Sequence, residues 1–182
     1  RGVVVGRVGL AGPQQGAEFG DGERVDDGLV QLGRGHALER GGVEVPGGGL
    51  FNRFEVARDH VIEPPYVVKP NAEGSSVGVY IVQKGANTPP QEIVAPSWTF
   101  GEEVMVEPFI AGRELAVGVM DGTAMTVTDI IPTSGFYDFE AKYGEGGSKH
   151  VLPAELPAHI IEKALRMTER AHAALGCRGV TR

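Results

Sequence analysis

Two short β-rich runs with a polar turn between them constrain this chain more than any other stretch. Tyr66, Val67 and Val68 form an apolar run that ends at Lys69. Glu73, Gly74, Ser75 and Ser76 make a turn, and Val77 to Val82 is a second, β-branched run. That order reads as a β-hairpin. Its loop gathers one cation, two hydroxyls and flexible backbone N–H donors. These groups suit phosphate oxygens, because N–H and hydroxyl groups donate hydrogen bonds and lysine adds a point charge. An ordinary exposed hairpin fits the same residues, and the hairpin alone does not choose between the two.

The rest of the chain supplies strands and one long helix. Glu103 to Ile110 reads as a strand running into an apolar segment. Leu115 to Met120 and Met125 to Ile131 read as two strands joined through Asp121-Gly122, a strong hairpin signal. Asn52 to His60 and Pro89 to Ala95 fit short helices. Pro153 to Leu175 carries apolar residues at steps of three and four, with Pro157 in its first turn and Gly176 as its stop. His159 and His172 are expected to be solvated on that helix. Thr133 to Leu152 is rich in glycine and charge and has no regular period, which is the pattern of a lid or a disordered segment.

Several function classes are excluded by composition. Net charge is −7, so the chain lacks the basic footprint of a nucleic-acid binder. No apolar run approaches the roughly 20 residues that cross a bilayer, and no partner membrane is expected. The single Cys177 rules out an internal disulfide and suits a reducing compartment, so cytoplasm is the expected location. With 41% hydrophobic and 23% charged residues the composition is globular. Residues 1–41 differ from the rest: they contain no Lys, Ser, Thr, Ile, Tyr or Asn. They are left unassigned and are expected to be poorly ordered, with few apolar contacts. Gly41 to Leu50, with its Gly47-Gly48-Gly49 tract, reads as a linker.

Four segments carry a resemblance. VVKPNAEGSSVGV (Val67 to Val79), EVMVEPFIAGREL (Glu103 to Leu115), GFYDFEAKY (Gly135 to Tyr143) and CRGVTR (Cys177 to Arg182) occur in one order. Together they resemble the D-alanine–D-alanine ligases of the ATP-grasp superfamily, over roughly Gly42 to Arg182. The resemblance implies an α+β, incomplete ATP-grasp fold: antiparallel sheets with helices, and a nucleotide cleft between two lobes. It implies a small lobe over 42–106 and a partial large lobe over 107–182. It further implies ATP-dependent joining of two D-alanines through an acyl phosphate, for peptidoglycan synthesis. ATP and D-alanine are then the small-molecule partners, and the full-length protein is expected to be a homodimer.

Site residues follow from the same resemblance. Lys69, Glu73, Gly74, Ser75, Ser76 and Val77 would cover the triphosphate. Glu107, Pro108, Phe109 and Ile110 would form the hinge that holds adenine, and Glu114 would bond the ribose hydroxyls. Lys142 would reach the γ-phosphate, Tyr143 would bond back to Ser75, and Arg182 would bind substrate carboxylate and stabilise the tetrahedral intermediate. The catalytic set is therefore Ser75, Lys142, Tyr143 and Arg182. Relatives hold Mg2+ with an aspartate that follows this arginine almost at once and with a glutamate and an asparagine on a later strand, so those ligands are expected beyond Arg182, with none in this chain. A family lysine upstream of Asn52 also has no counterpart, since Lys69 is the first lysine of the chain. The isolated chain is accordingly expected to be inactive. Two other readings stand beside this one: an ATP-grasp ligase for another carboxylate and amine, and a non-catalytic remnant that binds nucleotide.

Overall fold

The computed structural model describes residues 35–73, 76–133 and 147–182. Two four-stranded antiparallel sheets organise them, as the expected α+β class requires. The first sheet has the order β1-β4-β2-β3, from Gly49–Asn52 (β1), Tyr66–Pro70 (β2), Tyr80–Val82 (β3) and Glu103–Pro108 (β4). The second has the order β7-β6-β5-β8, from Glu114–Met120 (β5), Thr123–Pro132 (β6), Ser148–Val151 (β7) and Val180–Thr181 (β8).

The first sheet sorts its side chains by the two-residue period of a strand. Tyr66, Val68, Val104 and Val106 point to one face and are fully buried with Val56, Ile93, Val82 and Trp98. Val56 comes from a short helix, α2, over Arg53–Arg58. That helix starts where it does because the Asn52 side chain accepts a hydrogen bond from the Phe54 N–H at 2.9 Å, a side-chain cap. Ile93 sits on a 3-10 turn over Gln91–Val94, shorter than the helix expected for Pro89 to Ala95. The hairpin is present, with Val67 opposite Ile81, but its second strand begins at Tyr80 rather than Val77. Ser76 (φ 62) and Gly78 (φ 65) hold left-handed backbone that cannot continue a strand.

In the second sheet, Asp121 (φ 47) and Gly122 (φ 83) make the tight turn expected between β5 and β6. Leu115, Val117 and Val127 pack against Ala164, Ile161 and Leu165 of the long helix, α3, over Ala158–Ala174. This helix begins later than Pro153. The Ala154 N–H bonds the Val127 carbonyl at 2.8 Å, and Ala154 is buried in the core, so the preceding segment is pinned to the sheet. The helix ends as expected: Gly176 is left-handed (φ 62), and the Cys177 and Gly176 N–H groups return to the His172 and Ala173 carbonyls.

Further features depart from the sequence expectation, among them Ser148–Val151, a strand paired with β6 inside the stretch expected to be a lid. Gly49–Asn52 is a strand paired with β4 rather than part of a linker. Residues 35–40 are helical (α1), and Leu38 and Val43 are buried against Met167 and Ala171 of α3. The described end of the amino-terminal segment therefore has the apolar contacts that composition argued against. His172 is buried, not solvated, with Nδ1 2.7 Å from the Thr181 hydroxyl.

Candidate functional site

Lys69 and Glu107 lie 38 residues apart, and the sheet brings them together. Val67 stands opposite Glu107, and Lys69 opposite Met105, so the two charged side chains are diagonal neighbours on one face. Lys69 Nζ donates to Glu107 Oε2 at 2.6 Å. Both side chains are about three-quarters covered, at 27% and 23% exposure. Val67 and Met105 share that face and are buried, so it offers apolar surface beside a cation and a carboxylate. It is the face turned away from the main core, where Tyr66, Val68, Val104 and Val106 point.

The Gly47-Gly48-Gly49 tract lies against this pair. A Cβ at Gly48 would sit 2.7 Å from both Glu107 Cγ and the Val106 carbonyl oxygen, so only glycine fits. Sequence reading missed Gly48; the run of three glycines was the available signal.

The hinge follows directly. Pro108 ends β4, and the Phe109 N–H bonds the Pro65 carbonyl at 3.0 Å, so that donor is already engaged. Ile110 is exposed. Glu114 opens β5 opposite Ile130 and is half-buried. Arg113, just before it, reaches the other way. Its Nη2 lies 2.5 Å from Asp129 Oδ2, its Nε 3.4 Å from Oδ1, and its Nη1 3.2 Å from the Glu155 carbonyl. The hydrogen bond to Asp129 is the main reason the guanidinium pKa lies above its ordinary value; burial opposes it, and the charges of Asp129 and Glu155 assist. Sequence reading missed this pair too. Its signal was an aspartate at an inward position of a β-branched strand.

Arg182 is exposed, one residue past β8. Thr181, its neighbour, pairs with Val119 of β5, the strand that Glu114 opens. Glu73 is exposed and Val77 half-buried at the edges of the loop. Gly74, Ser75, Lys142 and Tyr143 lie outside the described residues. The structure thus joins Lys69 to Glu107, while Glu114 stands at the start of β5 and Arg182 follows the strand that pairs with its far end. Among the described residues no group of three or more His, Cys, Asp or Glu side chains gathers to hold a metal ion. The described residues by themselves do not compose a magnesium site. No helix among them is long and apolar enough to cross a membrane.

Known proteins share both the sequence and the architecture. A D-alanine–D-alanine ligase from Caulobacter vibrioides is 67% identical over 149 residues, which is 80% of this chain and 46% of the relative. One from Methylobacterium radiotolerans is 53% identical over 146 residues, 80% of this chain and 48% of that protein. The chain therefore spans about half the length of the curated relatives it matches. The solved VanG D-Ala:D-Ser ligase of Enterococcus faecalis superposes with a TM-score of 0.63 at 26% identity, over 84% of this chain and 46% of that one. A D-alanine–D-alanine ligase of Bacillus anthracis gives a TM-score of 0.60 at 26% identity, over 82% and 49%. These neighbours carry the ATP-grasp fold. The family described as D-ala D-ala ligase C-terminus matches residues 53–182, and the chain belongs to it.

Proposed function

We propose that this chain supplies the nucleotide-holding portion of an ATP-dependent D-alanine–D-alanine ligase. The observation that carries the proposal is the Lys69–Glu107 pair beside buried Val67 and Met105. An adenine ring needs apolar cover and an edge acceptor, and a triphosphate needs a cation; this face offers all three. In support, the relatives at 67% and 53% identity are named D-alanine–D-alanine ligases.

In the reaction, the carboxylate of one D-alanine attacks the γ-phosphorus of ATP. An acyl phosphate forms and ADP leaves. The amine of a second D-alanine then attacks the acyl carbon, and inorganic phosphate departs as the amide bond closes. The protein positions groups and balances charge. Lys69 and Lys142 neutralise phosphate oxygens. Residues 73–77 cover the triphosphate, and Ser75 with Tyr143 ties that cover to the flap. Glu114 holds the ribose hydroxyls. Arg182 stabilises the oxyanion of the tetrahedral intermediate. Excluding water protects the acyl phosphate. In the whole protein this chemistry serves peptidoglycan synthesis in the cytoplasm, and the protein acts as a homodimer. A ligase using a different amine is the second reading, favoured by the likeness to a D-Ala:D-Ser ligase.

Titration calorimetry of the 182-residue chain with ATP tests the binding step. ATP is expected to bind and to raise the melting temperature by mass action. Lys69→Met is expected to weaken ATP about tenfold or more, the size of one charge-assisted hydrogen bond. No phosphate release is expected from this chain with ATP and D-alanine. Absence of ATP binding at millimolar nucleotide overturns the proposal.

A further inference from the structure

The Arg113 cluster takes no part in the chemistry just described, yet it is the most elaborately held cation among the described residues. Its guanidinium bonds two separate elements: both carboxylate oxygens of Asp129 on β6, and the Glu155 carbonyl in the loop before α3. Asp129 is 4% exposed at its side chain. It stands opposite Leu115 in the row that faces α3. A carboxylate there needs a fixed partner, and among the described residues Arg113 provides one.

Neighbouring residues of a strand point to opposite faces. Arg113 and Leu115 share the α3 side, so Glu114 points to the other. Ahead of Glu114, residues 110–113 are exposed and belong to no strand. Glu114 therefore sits at the first residue of β5, where a strand end would otherwise fray. A two-pronged anchor on the residue just before it fixes the backbone from which the Glu114 side chain departs.

We propose that Arg113, locked by Asp129 and the Glu155 carbonyl, is a positioning residue that aims Glu114 at the ribose hydroxyls of the bound nucleotide. This inference rests on the nucleotide reading of Glu114 above. It adds a specificity device: the clamp governs recognition of the sugar hydroxyls, not of adenine or phosphate.

Calorimetry with ATP and with 2′,3′-dideoxy-ATP tests it on the 182-residue chain. The unaltered chain is expected to prefer ATP by about tenfold, the size of one hydrogen bond to a charged acceptor. Glu114→Gln should abolish most of that preference. Arg113→Gln should do the same while leaving dideoxy-ATP affinity within about twofold, which a general loss of structure would not do. Arg113→Lys keeps a charge beside Asp129 but not the planar fork. It should cut the preference by about threefold, and it carries the test if Arg113→Gln shows no cooperative melting. An undiminished preference in the arginine variants, or equal weakening of both nucleotides, overturns the positioning role when Glu114→Gln does lose the preference. Full preference in Glu114→Gln overturns the ribose reading of Glu114, and this inference with it. No binding of ATP by the unaltered chain overturns both.

Discussion

Two ion pairs among the described residues invite comparison: Lys69–Glu107 joins strands of the first sheet, and Arg113–Asp129 ties the residue before β5 to β6 of the second. Lys69 faces Met105 and reaches to Glu107; Arg113 sits two residues before Leu115 and reaches to Asp129, which is opposite Leu115. Their surroundings differ. The first pair is on the sheet face away from the core cluster, with both partners open to water to a similar degree, 27% and 23%. The second roots a 4% exposed carboxylate on the core face and meets it with a 46% exposed arginine. A lysine makes one point contact and can change partner, whereas a guanidinium held by three hydrogen bonds cannot do so cheaply. A similar diagonal reach thus gives a pair open to rearrangement in one sheet and a fixed strut in the other.

The comparison breaks if both pairs contribute alike to stability. Arg113→Met leaves the Asp129 carboxylate buried without its partner, and is expected to cost about 3 kcal/mol. Lys69→Met removes a partly hydrated pair and is expected to cost no more than about 1 kcal/mol. Urea unfolding of both variants measures the difference; equal midpoints would remove the distinction between strut and rearrangeable pair.

That distinction was not visible in the sequence, although much of the framework was. Period-two runs marked β2, β4, β5 and β6, Asp121-Gly122 marked their turn, and three-to-four spacing with Gly176 marked α3 and its end. These are local signals, written in neighbouring residues. The misses share a cause: the structure of each was decided by a distant partner. β1 is a strand because β4 pairs with it, despite the glycine tract that runs into it. β7, within the stretch read as a lid, is a strand because β6 pairs with it. His172 is buried because β8 folds back to bring Thr181 against it. In the candidate site the residue types at Lys69, Glu107 and Glu114 could be picked out by resemblance. That Lys69 and Glu107 touch, and that Arg113 is anchored from β6, depends on register between strands, which no local pattern encodes.

Glycine substitutions sharpen the contrast at intermediate size. Gly48→Ala drives a methyl to 2.7 Å from the Val106 carbonyl and from Glu107 Cγ. Backbone on one side leaves little room to yield, so a cost of about 2 kcal/mol is expected, typical of overpacking. ATP affinity should fall as well, because Glu107 must move. Gly118→Ala, in the other sheet, brings its Cβ no closer than 3.7 Å to Met125 Sδ. It should change stability by less than about 1 kcal/mol, in the stabilising direction, because alanine loses less backbone entropy than glycine. Denaturation midpoints and ATP titrations of the two variants decide it. A harmless Gly48→Ala would show that the amino-terminal tract does not press on the Lys69–Glu107 pair.

The smallest expected effect is the response of the first sheet to alkali. Tyr66 is fully buried on β2 of the first sheet, and its hydroxyl lies 2.8 Å from His60 Nδ1. Burial, followed by the nearby Asp59 charge, raises its pKa above the ordinary value of 10.0. Burial and Glu92 act on Tyr80 in the same direction. The native fold therefore prefers these phenols neutral. Their contribution is fully present below pH about 10, the unfolded value, and is lost as pH rises through the higher folded value. Tyr66→Phe forfeits the hydrogen bond to His60 and should be about 1 kcal/mol less stable at pH about 8. Its stability should nevertheless fall less steeply than that of the unaltered chain above pH about 10, since Tyr80 alone remains to titrate among these two. Urea midpoints taken across that range give both slopes. Parallel slopes would mean that Tyr66 ionises as readily in the fold as out of it, and that alkaline weakening does not begin at the first sheet.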